Sequence, residues 1–451
     1  MPKKFSDEPV EYESLGRYES QEHLNLSAQR IISSSPSDHT VIFSFYDGRF
    51  QLSLAQLRYF TFLSIDISIL WPWNCFLSAS VYFIKKFGAG SNLSNNYSST
   101  MMTVSTLTSF ALNSYLSTKQ FANFVNRIKL GCLINFSIFI ILSLIELFWP
   151  TLNSGSYFTF VMLLILLSSV GTCFQQNGCM AIVNVLGPIY AQAVMVGQAI
   201  AGVLPSIALM LSNLLYPSKS DDSNGGIVIY FVATSIITLI SILLLLITNR
   251  YKDDLGTDIE HESPISSQQQ PSEYVPFAVL FDKLKFIVSS IFTIFVITLV
   301  FPVFASNITS VNPNWGKLTS DNIYIPFIFL VWNLGDLAGR MVCAYPQFVI
   351  SSDRKLLLYS VLRFVNVPLF FFCNLSKNKG NPIVDSDLFY ILLQFTFGFT
   401  NGHNLSCCFM NVANYVDDEQ KEAAGGFTTI FLSLGLAAGS IFSYLFVLII
   451  S

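Results

Sequence analysis

The sequence predicts an all-α polytopic membrane protein with eleven transmembrane helices in a six-plus-five arrangement. Three observations predict it. Of 451 residues, 52% are hydrophobic and only 12% are charged, against about 25% charged in soluble domains, so no solvated surface of ordinary size can be built. The mean hydropathy is +0.54. Eleven apolar runs are long enough to cross a bilayer core of about 30 Å, and one long polar segment separates the sixth from the seventh.

Residues 1–56 are rich in Ser, Glu, Asp and Gln and carry charges of both signs, which predicts a disordered cytosolic N-terminal tail. No signal peptide is visible, because the first apolar run is too long for an h-region. The apolar runs lie near 57–84, 98–117, 128–148, 157–185, 188–216, 226–248, 284–305, 322–346, 355–375, 386–414 and 421–449. They group as a six-helix bundle over 57–248 and a five-helix bundle over 284–451. Between the bundles, 249–283 contains the low-complexity stretch SPISSQQQPSEYVP and is expected to be a flexible cytosolic linker.

Lys and Arg set the orientation. With the N-terminus inside, the cytosolic side collects sixteen of the 24 and the opposite side six, leaving Arg340 and Arg363 within spans. That bias places the N-terminus in the cytosol and the C-terminus on the lumenal or extracellular side. Sequons at Asn92, Asn96 and Asn307 fall in loops on that outer side, and Asn374 lies at the edge of another. All eight cysteines lie in apolar runs and read as small hydrophobes with free thiols rather than a disulfide frame or metal site. No cofactor is expected. Prolines interrupt spans in both halves, at Pro72, Pro188 and Pro205 and at Pro302, Pro326, Pro346 and Pro368. Such breaks are tolerated where neighbouring helices or a wet cavity satisfy the freed carbonyls, and two bundles rocking about a midplane site is the transporter pattern they suggest.

Polar residues inside apolar runs carry the functional signal. Asp336 and Arg340 stand four apart in VWNLGDLAGRMVCAY, on one helix face with the acid N-terminal to the base. An ionisable residue at the bilayer centre costs about 2.5–3.5 kcal/mol even on the lenient insertion scale. Either the two offset their own burial as a self-contained salt bridge, or the carboxylate accepts from hydroxyls of a polar substrate while the guanidinium donates to it. Neutral overall, the pair suits an uncharged, hydroxyl-rich solute, and Asn333 lies about one turn before it. In the first span Trp73 and Asn74 follow Pro72, roughly 20 Å along the helix at 1.5 Å per residue, deep for an interfacial belt and suited to a cavity wall. Gln175, Gln176 and Asn177 are consecutive, so about 100° separates neighbours and at most two face one cavity; Gln176 is the candidate contact. Gln198, His403 and the glycine-rich runs of the last spans read as packing structure. Asp66, on the apolar background YFTFLSIDISIL, either pairs with a polar group on another helix or exchanges a proton during transport. Arg363, nearer a span end, is expected to snorkel or pair. No HExxH and no Gly-x-Ser-x-Gly occurs, so nothing supports an enzyme.

Together these motifs resemble the equilibrative nucleoside transporter family, particularly its fungal, vacuolar-type branch. The resemblance rests on Pro72-Trp73-Asn74, Gln176, the Gly-Gln-x-x-Ala-Gly run of Gly197–Gly202, Asp336-x-x-Gly-Arg340, Gly398-Phe-x-Asn-Gly402 and the glycines of the last span. It implies a major-facilitator-like bundle that moves nucleosides, and in some members nucleobases, down their gradient by alternating access. By position, Asp336 and Arg340 would hold ribose hydroxyls, Gln176 would read base edges, and Trp73 and Asn74 would shape the cavity wall; Asn333, from its spacing, would add a further contact beside the pair. The implied partners are purine and pyrimidine nucleosides and the lipid bilayer, with no nucleic acid, and the unit is a monomer. The membrane implied is vacuolar or lysosomal in type. Asp66 departs from the apolar or small residue expected there, which keeps a proton-coupled nucleoside or nucleobase transporter as the alternative.

Overall fold

The computed structural model describes residues 41–45, 50–88, 91–148, 153–215, 224–260, 274–312, 316, 319, 321–375 and 382–450. Tail residues 1–40 and the linker core 261–273 lie outside them. Within the expected tail, strands β1 (Val41–Phe45) and β2 (Phe50–Ser53) pair antiparallel. VIFSF is the β-branched and aromatic composition that favours strands, and the polar surroundings masked it. Ser53 ends β2 and caps α1 (Leu54–Ser78), its hydroxyl accepting from the Gln56 amide while the Gln56 side chain accepts from the Ser53 amide, a capping box.

The helices follow as α2 (Ser80–Lys86), α3 (Asn92–Thr118), α4 (Phe124–Phe148), α5 (Ser154–Leu186), α6 (Pro188–Leu215), α7 (Asn224–Glu260), α8 (Phe277–Thr298), α9 (Phe301–Asn307), α10 (Asp321–Val342), α11 (Asp353–Leu362), α12 (Asn366–Phe370), α13 (Asp387–Asn411) and α14 (Lys421–Ile450). Each apolar run of the sequence coincides with one helix or a chain of helical pieces. The first is broken at Ala79, the seventh at Leu299–Val300 just before Pro302, and the ninth by a 3₁₀ turn at Arg363–Val365. Among the described residues, eight helices are long and apolar enough to cross a membrane, and the protein is an integral multi-pass membrane protein. The other three runs fall short for visible reasons: α3 is rich in Ser, Thr and Asn, α11 and α12 are fragments, and α13 carries Asn, Thr and His. The linker is shorter than expected, because α7 continues to Glu260 and α8 begins at Phe277. Its far end is pinned by Gln120, whose amide donates to the Val275 carbonyl and accepts from the Val275 amide, both at 2.9 Å.

Two seams join the halves. On one side α6 packs on α10 and α13; on the other, α14 packs on α3 and α5. Small residues let helices approach closely both across the first seam, where a Cβ on Gly202 of α6 would stand 2.4 Å from Asn333 Oδ1, and within the second half. A Cβ on Gly402 of α13 would stand 2.0 Å from the Asp336 carbonyl oxygen, and one on Gly398 would stand 2.1 Å from that of Trp332, so α10 and α13 touch backbone to backbone. Cross-half hydrogen bonds hold the second seam, from Asn113 to Ser433 Oγ and from the Ser117 hydroxyl to the Gly426 carbonyl, both 2.7 Å.

The core is asymmetric along the bundle. Toward one end a single apolar cluster crosses between the halves, including Tyr190, Met195, Leu280, Leu405 and Met410. Toward the other, each half keeps its own: Phe76, Phe83, Tyr97 and Tyr157 in the first, Phe304, Tyr324, Phe370 and Phe397 in the second. Of the eight apolar helices α7 is the least buried; Ile229, Ile236 and Leu243 face outward, as a lipid-facing helix requires. Asn374 is tied inward, its amide donating to the Thr309 and Ser310 carbonyls, so its sequon is buried and drops out of the topology argument.

Candidate functional site

Between the seams lies a cavity of about 310 Å³, within the size range of small-molecule sites. Its wall is mostly apolar, and its polar groups come from both halves. Trp73, Asn74, Gln176, Asn333, Asp336 and Arg340 all line it; Asp66 does not.

The intramembrane pair is held from several helices. Arg340 Nε donates to Asp336 Oδ2 at 2.8 Å, the intrahelical contact that i,i+4 spacing predicts. Arg340 Nη1 donates across the seam to the Met195 carbonyl and to Gln198 Oε1, both 2.8 Å. From α13, Asn401 Nδ2 donates to Asp336 Oδ1 at 2.6 Å, and Asn401 Oδ1 accepts from the Thr298 hydroxyl at 2.6 Å. Behind Thr298 stands Arg363, 2% exposed, which donates to Thr298 Oγ1, Thr400 Oγ1 and the carbonyls of Ile294 and Phe397. It neither snorkels nor pairs with a carboxylate among the described residues. The 3₁₀ turn points it inward, where it covers the Phe397 ring at 5.1 Å.

This leaves the pair with defined spare capacity. Arg340 Nη2 donates to none of the described residues, although Nε and Nη1 are fully used. Each Asp336 oxygen accepts one hydrogen bond where a carboxylate oxygen accommodates about two. The arrangement can take one further acceptor on the guanidinium and further donors on the carboxylate.

The three consecutive amides of α5 separate by direction. Gln175 Oε1 accepts from Ser68 Oγ at 2.9 Å. Asn177 accepts from Arg127 and donates to Ser117 Oγ. Gln176 lines the cavity, and its amide makes no hydrogen bond to any described residue. Across the cavity, Asn74 donates to the Ala201 carbonyl at 2.7 Å, and Asn333 donates to Ser206 Oγ at 3.0 Å and the Phe329 carbonyl at 2.8 Å. Asn74 and Asn333 are therefore partly committed to holding α6 against α1 and α10.

Three contributors were not assigned to the site from sequence. Gln198 reads there as packing, yet it lines the cavity and orients Arg340. Asn401 lines it and orients Asp336, and Thr298 orients Asn401. In sequence Asn401 is one polar residue in a glycine-rich run and Thr298 one hydroxyl in an apolar run. Only the reach of Asp336 and Arg340 onto α6 and α13 would have drawn them in, and that reach is tertiary.

Comparison with known proteins agrees with this architecture. Residues 161–253 and 250–448 match a family described as "Nucleoside transporter". The chain is 39% identical over 445 residues to the nucleoside transporter FUN26 of Saccharomyces cerevisiae, covering 88% of this chain and 85% of that one. It is 25% identical over 439 residues to the human equilibrative nucleoside transporter 1, covering 85% and 95%. Among solved structures, the major facilitator proton:xylose symporter XylE superposes with a TM-score of 0.55 at 11% identity, covering 88% of each chain. The major facilitator transporter FucP in its outward conformation gives 0.51 at 10% identity, covering 87% and 96%. The fold is therefore of the major-facilitator kind, the relatives are transporters rather than enzymes, and the chain belongs to the nucleoside transporter family.

Proposed function

We propose that this protein moves nucleosides across a membrane by facilitated, equilibrative transport, with the cavity between its halves as the alternating-access site. The observation that carries the reading is the spare capacity at one point of the cavity: a free Arg340 Nη2 beside a half-used Asp336 carboxylate, with the unbonded Gln176 amide on the opposite half. A ribose offers vicinal hydroxyls that donate to the carboxylate and accept from the guanidinium. A base edge offers the mixed donors and acceptors that a Gln amide matches, and Trp73 supplies an aromatic wall. Asn74 and Asn333 shape the cavity while tying helices together. Because the pair is neutral overall, it favours a neutral sugar, and free bases would engage only the Gln176 side.

The asymmetric core supports alternating access: the cluster that crosses the halves is the seal that must part, while the two separate clusters leave the halves independent at the other end. We count eleven spans, adding α3, α11–α12 and α13 to the eight apolar helices, with six before the linker and five after it. The Lys and Arg bias supports a cytosolic N-terminus and linker, and the resemblance to the fungal branch supports a vacuolar-type membrane. The transporting unit is one chain, since both halves of the site come from it.

Uptake of radiolabelled uridine into proteoliposomes tests the reading. Asp336→Ala and Arg340→Ala are expected to reduce it to the background of empty vesicles while each variant still elutes as a monodisperse species. Wild-type uptake in both would end the assignment. Competition by purine nucleosides and free bases sets the substrate range.

One observation favours a second reading, proton-coupled transport. Asp66 is fully buried and neither of its oxygens has a hydrogen-bond partner among the described residues. A buried carboxylate without a partner is costly when charged, so its charge would follow the conformation around it. An imposed pH gradient that accelerates uptake in the wild type and not in Asp66→Asn would establish this reading; equal uptake with and without the gradient would exclude it.

A further inference from the structure

One turn beyond Arg340 on α10, outside the transport cavity, a second cluster forms. Cys343, just past the end of α10, meets His403 and Cys407 of α13, and their ligand atoms all lie within 4.8 Å of one another. His403 and Cys407 are four apart and share one face of α13. The glycine seam brings the facing helix close enough to complete the set: a Cβ on Gly339 would stand 2.7 Å from the His403 amide nitrogen. None of the three residues lines the cavity.

Two of the three ligand-to-ligand edges match a tetrahedral metal site, and the third lies within 4.8 Å. Cys343 Sγ lies 3.8 Å from Cys407 Sγ, and Cys407 Sγ lies 3.8 Å from His403 Nε2. A tetrahedral zinc ion with Zn–S of about 2.3 Å and Zn–N of about 2.05 Å has ligand-to-ligand edges of about 3.8 Å for S–S and about 3.6 Å for S–N. The surroundings fit as well. The Ile350 amide donates to Cys407 Sγ at 3.4 Å, the contact that stabilises a thiolate. The His403 ring is oriented by stacking on Phe399 at an interplanar angle of 3°; without metal its Nε2–H donates to the Phe348 carbonyl at 2.8 Å, and ligation through Nε2 replaces that bond, the ring proton moving to Nδ1. Two thiolates and a neutral imidazole around a divalent ion carry no net charge, which suits a buried position.

We infer that Cys343, His403 and Cys407 bind a thiophilic divalent cation of the zinc class, with the Phe348 carbonyl or a water in the fourth position. Binding places two thiol protons in solvent and puts the ion between α10, α13 and the 346–352 turn. The packing thus separates these two cysteines from the six that remain small apolar residues.

Titration of the purified, reduced full chain in detergent with Co²⁺ as the probe tests the site. One equivalent is expected to produce thiolate-to-metal charge-transfer absorption, which Zn²⁺ then abolishes by displacement. The band should vanish in Cys407→Ser and Cys343→Ser, and also in the apolar Cys343→Ala, which preserves packing if a hydroxyl does not. His403→Ala should weaken binding by more than about tenfold. Cys373→Ser, a cysteine outside the cluster, should keep the band. Absence of the band in the wild type, its survival in Cys407→Ser, or a Cys343–Cys407 disulfide in peptide mapping of protein purified without reductant would each overturn the inference.

Discussion

Two aspartates lie inside the bundle, one in each half, and they are treated in opposite ways. Asp336 on α10 has an acceptor role for each oxygen, with Arg340 on one and Asn401 on the other. Asp66 on α1 is equally buried, and neither of its oxygens has a hydrogen-bond partner among the described residues. The difference lies in what each helix faces. α10 runs along the glycine seam, where α6 and α13 bring polar groups to within hydrogen-bond reach. At the turn of Asp66, α6 presents Gly197, whose added Cβ would sit 3.3 Å from Asp66 Cβ and which has no side chain to offer. A partnered carboxylate is a fixed anion that can present lone pairs to a ligand. An unpartnered one is costly charged and is suited to gaining or losing a proton.

The comparison is broken most severely at Asp336. Asp336→Ala strands the buried Arg340 without its counter-charge, which costs about 3–5 kcal/mol, and uridine uptake is expected to fall at least ~100-fold with a lowered thermal midpoint. Asp336→Asn keeps the shape and separates loss of binding from loss of stability: uptake should still collapse while the midpoint moves less. Next comes Gly402→Ala, whose new Cβ would overlap the Asp336 carbonyl. Overpacking of this kind costs about 1–3 kcal/mol, read as a lower midpoint and reduced uptake together. Asn401→Ala should be milder. It removes one donor from Asp336, while the Thr298 hydroxyl keeps the Ile294 carbonyl as acceptor at 2.7 Å, so a rise in KM of about tenfold, ~1.4 kcal/mol, is expected in uptake kinetics with little change in folding.

Two further variants sharpen the contrast. Gln176→Leu removes the amide on the base side of the cavity and should change the ratio of purine to pyrimidine uptake several-fold; an unchanged ratio would remove Gln176 from base recognition. Asp66→Asn should have the smallest effect at symmetric pH, within about twofold, ~0.4 kcal/mol, because it breaks no hydrogen bond among the described residues. A large loss there would mean that Asp66 is as much a part of the site as Asp336.

Arg340 and Arg363 make a parallel pair. Arg340 announces itself in sequence by an acid four residues earlier. Arg363 has no such neighbour and stands near a span end, where a long cation ordinarily snorkels. The chain instead turns through a 3₁₀ segment and folds it inward onto Thr298 and the Phe397 carbonyl. Local spacing therefore identified one and misplaced the other. The same limit applies to the cysteines, which are equivalent apolar residues until α10 and α13 are brought together.

Composition and spacing alone settle that this chain lives in a bilayer, where its helices lie, and that Asp336 and Arg340 share a face. Each of these follows from bilayer thickness, the cost of exposed backbone and the 3.6-residue helical repeat, all of which act within a single segment. Which of Gln175, Gln176 and Asn177 meets the cavity, which aspartate finds partners, and where Gln198, Asn401 and Arg363 point are decided only when helices far apart in the chain pack together. A hydrogen bond across a seam depends on the rotation and depth of two helices, and no single segment contains that information.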